Sequence, residues 1–222
     1  LSAAGRIDQY EGSNLRTGTW KSDDAMVSFY GRFNYALKDR YLLSATLRTD
    51  GSSKFGMDNK WGWFPSVAGG WRISEEPFMR SLSGWLNQLK IRASYGVTGT
   101  NSISNYVNTE LLSPTPYPVG AGNGTVAQGM ANISSSQGNR ALQWEQTNEY
   151  NIGLDMAFLN NRIGLTFDCY YSVTKSLLYE KTINSISGFT KAWTNEGKLR
   201  NKGFEVELTT YNFNGRKFKS YR

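Results

Sequence analysis

Histidine is absent from the 222 residues, and Cys169 is the only cysteine. The first absence removes Ser-His-Asp and Cys-His catalysis together with histidine-based zinc sites. The second removes an internal disulfide framework. No unbroken apolar run approaches the ~18 residues of a membrane-spanning helix, and the opening Leu1-Ser2-Ala3-Ala4-Gly5 lacks a signal peptide's basic and apolar regions, so any export signal is expected outside this sequence. Proline is scarce, at 5, whereas glycine reaches 23 and aromatic residues 14%, a balance that suits the strands and turns of one all-β domain. The net charge is +7, yet Lys and Arg are spread singly and make no stripe of the kind nucleic acid requires, so no nucleic-acid partner is expected.

What is present is a period-two alternation that recurs in seven segments. From Val27 the odd positions read Val27, Phe29, Gly31, Phe33, Tyr35 and Leu37, with Ser28, Arg32, Asn34 and Ala36 between them. The second segment sets Tyr41, Leu43, Ala45 and Leu47 against Ser44, Thr46, Arg48 and Asp50; the third sets Trp63, Pro65, Val67, Gly69, Trp71 and Ile73 against Ser66, Ala68, Gly70 and Arg72. Pro65 is awkward in a central strand and marks a strand end or a bulge. The fourth carries Leu89, Ile91, Ala93, Tyr95 and Val97, the fifth Tyr150, Ile152, Leu154, Met156 and Phe158, the sixth Ile163, Leu165, Phe167, Cys169, Tyr171 and Val173, and the seventh Phe204, Val206 and Leu208. Segments of about ten residues match a tilted strand crossing a bilayer. A mean hydropathy of −0.51 does not oppose this, because alternation averages to polar.

Connections alternate in length as well. Lys38-Asp39-Arg40, Leu159 to Arg162 and the turn at Asn214-Gly215 are tight, whereas 51–62, 98–142 and 178–195 are long; 75–87 is intermediate, with Phe78, Met79, Leu82, Trp85 and Leu86 spaced as a short amphipathic helical turn. The stretch from Thr98 to Leu142, rich in Gly, Asn, Ser and Pro, is expected to be a long loop, with room for a short strand extension, and a candidate for ligand contacts. Short turns at one end and long loops at the other are the pattern of outer-membrane barrels. The fold class is therefore an all-β, antiparallel transmembrane β-barrel section. The chain opens in loop-like sequence and supplies seven strands and a stub, so the whole of 1–222 reads as part of a larger barrel whose remaining strands lie elsewhere. Lipid-facing positions are Phe29, Phe33, Leu43, Leu47, Val67, Trp71, Ile91, Ile152, Leu154, Leu165 and Phe167; lumen-facing charges are Arg32, Arg48, Arg72, Arg92, Asp155, Asp168, Glu205 and Glu207.

Five stretches carry a resemblance to SusC/RagA-type TonB-linked outer-membrane proteins: Tyr35 to Leu43 continued by Arg48-Thr49-Asp50-Gly51-Ser52-Ser53-Lys54-Phe55-Gly56; Trp61-Gly62-Trp63-Phe64-Pro65-Ser66-Val67; Gly70 to Phe78; Leu89 to Gly99; and Asn201-Lys202-Gly203-Phe204-Glu205. The resemblance implies a 22-strand barrel, of which 1–222 is a section, enclosing an N-terminal plug expected outside this chain, contact with TonB through parts outside this chain, and a SusD-like surface lipoprotein as partner. It implies import of oligosaccharide or peptide across a Gram-negative outer membrane, with no cofactor and no bond chemistry. Basic charges (Arg32, Arg48, Arg72, Lys90, Arg92) come from the first four segments and acidic ones (Asp155, Asp168, Glu205, Glu207) from the later ones, so the lumen wall is expected to hold the plug through a basic and an acidic arc. Charge reversal of Arg72 and Arg92 tests that retention.

Competing readings remain open at this point. A soluble β-sandwich carbohydrate-binding module has a similarly apolar buried face. A hydrolase is conceivable from Glu205 with Glu207, or Glu145 with Glu149, two or four residues apart on one strand, although carboxylates on a wet wall are ordinarily solvated or paired. The glycine-rich 120–124 segment lacks the context of a phosphate loop and reads as flexible surface. Trp63, Trp71 and Trp144, near segment ends, suit aromatic girdles or core packing, with sugar stacking as the lesser role.

Overall fold

The computed structural model describes residues 4–8, 16–109, 112–118, 126–132, 136–215 and 218–221, with side chains over 21–109 and 136–212. The strands in chain order are β1 (Ala4–Asp8), β2 (Arg16–Trp20), β3 (Met26–Leu37), β4 (Tyr41–Ser52), β5 (Trp61–Arg72), β6 (Leu86–Thr100), β7 (Leu112–Pro118), β8 (Val126–Asn132), β9 (Ser136–Gln137), β10 (Glu145–Phe158), β11 (Ile163–Lys175), β12 (Tyr179–Thr182), β13 (Lys191–Thr194), β14 (Lys198–Gly215) and β15 (Phe218–Tyr221). Eight of them make one open sheet in the order β15-β14-β11-β10-β6-β5-β4-β3, antiparallel throughout.

Tight turns lock the register. Lys38 and Asp39 adopt φ of 51° and 53°, the left-handed pair whose twist matches the flanking strands, and Leu37 faces Tyr41 across them. A slip of one residue would exchange the two faces of β3 and β4, so the turn decides which side chains meet which medium. Leu159, Asn160 and Asn161 make the equivalent reversal between β10 and β11 at φ of 54°, 56° and 61°.

Apart from Ile73, which lies in the turn after β5, the positions assigned above to the apolar side share one face of this sheet, and that face is bare over most of its height, Val173 at its upper end being buried. Phe29, Phe33, Ile152 and Phe204 are 61%, 59%, 62% and 72% exposed, and no second sheet covers them among the described residues, which removes the sandwich. Aromatic rows bracket the face. Tyr95 and Tyr150 pack at 4.8 Å and Tyr150 and Tyr171 at 6.4 Å near one end; Trp85 stacks on Phe158 at 5.8 Å and Tyr41 on Trp71 at 6.3 Å near the other. Val67 is level with Tyr95 and Tyr150, four residues below Trp63, while Trp71 is level with Leu154, four residues above Phe158. Both rows therefore shift by the same four residues between β5 and β10, as they must if the strands tilt through a band of constant height.

Several expectations need correction. The loop-like start holds the β1–β2 hairpin, whose five-residue strands are too short for alternation to register. The 98–142 stretch holds a second hairpin, β7–β8. Pro114, Pro116 and Pro118 sit at alternate positions of β7, so the missing N–H groups all lie along one edge and the other remains free to pair. The segment 178–195 is likewise partly ordered, β12 pairing with β13. Pro65 lies within β5, neither at its end nor at a bulge; pairing of β5 with β6 starts only at Ser66, so no ladder bond to β6 is lost at the proline. Asn214 and Gly215 belong to β14, Gly215 pairing with Phe218 of β15, so the turn expected at Asn214-Gly215 is not found there; 120–124 lie outside the described residues. The helical turn after β5 is 3-10 in type, over Ile73–Glu75 and Pro77–Leu82.

Candidate functional site

The polar face carries two adjoining hollows. One, of about 460 Å³, is lined by Asn34, Ser44, Ala68, Lys90, Arg92, Ser94 and Asn151 among others; the second, of about 420 Å³, includes Arg32, Thr46, Ser66, Gly96, Thr98 and Glu149. Small side chains at successive polar positions of β4, β5 and β6 leave this space open.

Beside the first hollow, Arg92 ties three strands together. Its Nε and Nη2 donate to the two oxygens of Asp155 at 2.9 and 3.0 Å, and Nη2 also donates to Asp168 at 3.0 Å; Lys90 approaches Asp155 at 4.0 Å. Gly153 makes the arrangement possible. It is level with Arg92 on β6 and with Asp168 on β11, and a Cβ there would lie 2.6 Å from Asp168 Oδ1 and 2.7 Å from Arg92 Nη2. Basic and acidic charges from β6, β10 and β11 thus meet and pair within the sheet at this point.

The remaining expected residues of this face are more exposed. Arg48 Nε donates to both oxygens of Asp50 at 2.8 Å, and Arg32 Nε donates to Thr46 Oγ1 at 3.2 Å. Arg72 lies at the end of β5, and Glu205 and Glu207 are exposed on β14 with Glu205 opposite Asp168. Glu145 accepts from the Leu178 N–H at 2.9 Å, while Glu149 is exposed at the second hollow.

At the tight-turn end Glu76 binds the β3–β4 turn to the connector after β5. Tyr41 Oη donates to Glu76 Oε1 at 2.6 Å, Trp71 Nε1 to the same oxygen at 3.1 Å, and Arg40 Nη1 to Oε2 at 3.2 Å. The Tyr41 hydrogen bond first, then that of Trp71, hold the Glu76 carboxyl below its ordinary range against the opposing effect of burial, with the Arg40 charge adding to the lowering. A carboxyl with a lowered folded-state pKa contributes stability that is present above its unfolded value, about 4.3, and is lost as the pH falls through the folded value. The whole protein should therefore melt at higher temperature than its Glu76→Gln variant at pH 7, and the gap should close as the pH is taken below about 4. A gap independent of pH would show that the carboxylate charge contributes nothing.

The long-connection end has a core of its own. Phe55, Phe64, Ile103, Leu142 and Trp144, drawn from β5 and from the segments after β4, after β6 and before β10, are at most 6% exposed. Above Ser66 and Gly96 strands β5 and β6 no longer pair, and Phe64 lies against Gly99, where any side chain would collide with its ring. Trp144 packs on Phe64 at 5.4 Å and on Phe55 at 5.1 Å, and its Nε1 donates to the Lys60 carbonyl at 2.9 Å. Trp144 is core, whereas Trp63 is exposed on the bare face. Asn139 and Asn195 bind the layer across long stretches of chain: Asn139 Nδ2 donates to Trp193 O at 2.9 Å, and Asn195 Nδ2 to Gln143 O at 2.8 Å and Ser176 O at 3.0 Å. None of this core is apparent from alternation; the nearest signal is the density of aromatics and glycines at 51–64.

A family model described as "TonB dependent receptor-like, beta-barrel" matches residues 2–221. The TonB-dependent receptor SusC of Bacteroides thetaiotaomicron is 38% identical over 206 residues, 88% of this chain and 20% of that protein. TonB-dependent receptor P26 of Formosa agariphila is 41% identical over 187 residues, 84% and 18% of the two chains. The solved RagAB peptide importer in its "open-open" state superposes with a TM-score of 0.81 at 30% identity, over 96% of this chain and 22% of that one. The chain thus spans about a fifth of the length of the relatives it matches. With an open antiparallel sheet, a bare apolar face and relatives that agree over nearly its whole length, the chain belongs to the TonB-dependent receptor β-barrel family, as a partial barrel of the SusC/RagA type.

Proposed function

We propose that residues 1–222 are one wall section of an outer-membrane importer that takes up oligosaccharides or peptides, working with a SusD-like lipoprotein and energised through TonB by parts of the protein outside this chain. The observation that carries the reading is the bare face between two aromatic rows. From Tyr150 to Phe158 it covers about 26 Å of strand, which on tilting fills most of the ~25 Å apolar band of a barrel wall. That face, including Phe29, Phe33, Leu43, Leu47, Val67, Trp71, Ile91, Ile152, Leu154, Leu165 and Phe167, meets lipid. The opposite face, with its hollows and with Arg32, Arg48, Arg72, Arg92, Asp155, Asp168, Glu205 and Glu207, lines the lumen, where small residues and paired charges give a plug a polar seat. The layer around Trp144 stands at the extracellular end and holds the long connections as a rigid rim for solute. The role is transport, without catalysis.

The test is uptake of labelled malto-oligosaccharides and of labelled oligopeptides by cells that carry or lack the whole protein, with and without a protonophore. Uptake of either class that needs both the protein and the proton gradient supports the reading. Uptake of neither, or uptake indifferent to the gradient, refutes it.

A further inference from the structure

Resting on that assignment of faces, we infer that the outward side of β11 and β14, just above the aromatic row, is a docking site for the phosphate groups of an anionic lipid in the outer leaflet. Along β14 the outward positions read Leu208, Val206 and Phe204, then Lys202, Arg200 and Lys198. The register with β11 runs without interruption, pairing Phe204 with Cys169, Lys202 with Tyr171, Arg200 with Val173 and Lys198 with Lys175. The greasy ladder becomes a basic one at the level where Tyr171 continues the row begun by Tyr95 and Tyr150.

Lys175, Lys198, Arg200 and Lys202 are exposed, and Lys175 and Lys198 stand directly opposite one another, an unfavourable pairing of like charges. Among the described residues no carboxylate relieves it. The outward positions at this height on the neighbouring strands are Gln146 and Asn148 of β10 and Val97 and Gly99 of β6. The glutamates of the adjoining connection are engaged elsewhere, Glu196 by Lys181 at 3.1 Å and Glu180 by Lys191 at 2.8 Å, and Glu145 points to the other face. Four cations thus share one face next to an aromatic row, free of acidic partners among the described residues, and together make a site for an anion. At this depth the available anion is a lipid-borne phosphate: the guanidinium of Arg200 offers a bidentate fork for it, and the three lysines add attraction that falls off with salt.

The experiment uses the whole protein in phosphatidylcholine nanodiscs doped with bisphosphorylated lipid A or with its dephosphorylated form, with bound lipid counted by native mass spectrometry. Wild type should retain the phosphorylated lipid at least tenfold more than the dephosphorylated one. The variant K175Q/K198Q/R200Q/K202Q should lose that preference, at roughly fivefold per cation removed, with its melting temperature no lower than wild type. Equal retention of the two lipids by wild type overturns the inference without any variant, and so does a variant that keeps the preference. Competition by inorganic phosphate alone at equal concentration would also overturn it, since the site would then take free phosphate. A nitroxide on Phe204→Cys, in a Cys169→Ala background, separates this failure from that of the underlying reading: a label reached by oxygen and shielded from a water-soluble nickel chelate leaves the face in lipid even if phosphate preference is absent.

Discussion

Replacing Trp144 with alanine should destabilise the protein by about 3 to 5 kcal/mol, the range for removing a large aromatic side chain from a closed core. The indole is 5% exposed, packs against Phe55 and Phe64 at 5.1 and 5.4 Å, and satisfies the Lys60 carbonyl at 2.9 Å. Its loss opens a cavity and orphans an acceptor at the same time. Neighbouring chain can do little to collapse on the space. On one side Gly56 already presses on the Arg140 backbone, and on the other Gly99 lies against the Phe64 ring. Trp63→Ala makes the comparison sharp, because Trp63 is 59% exposed and leaves no closed cavity. Unfolding of the whole protein in detergent should show the large loss only for Trp144→Ala, together with faster proteolytic cleavage between residues 138 and 144. Equal losses for the two variants would contradict the assignment of Trp144 to a core.

The contrast between these two tryptophans also marks what was legible beforehand. Alternation placed Trp63 correctly, because a strand whose faces meet different media writes its orientation into every second residue. The same rule located seven of the eight strands of the main sheet, all but β15, and the side on which Ile152 and Arg92 lie. It could not bring Arg92 to Asp155 and Asp168, since that meeting depends on the registers that set Gly153 level with both Arg92 and Asp168. Face is a local property of the chain; register between strands some sixty residues apart is not. The core around Trp144 was hidden for a related reason. Phe55, Phe64, Ile103, Leu142 and Trp144 come from four separate parts of the chain, and none belongs to a periodic apolar run. The β7–β8 hairpin was hidden by composition, its prolines reading as loop until their shared edge is recognised.

The second large effect is expected at Leu154, and it bears on the lipid assignment itself. Leu154 lies midway between Tyr150 and Phe158, at the centre of the bare face of β10. If that face meets hydrocarbon, Leu154→Arg puts a cation at the middle of the bilayer, at a cost of about 2 to 4 kcal/mol. Asn151→Arg is the paired control. Asn151 is on the same strand but borders the hollow of about 460 Å³ on the opposite face, where water and space remain for a long polar side chain, so the cost there should stay within about 0.5 kcal/mol. Reversible unfolding of the whole protein from lipid vesicles supplies both numbers. Composition and propensity cannot produce such a difference, since both variants introduce the same residue three positions apart in one strand. Only the medium on each side can. A Leu154→Arg protein as stable as Asn151→Arg would mean that water reaches the apolar face, and the wall assignment would fail with it.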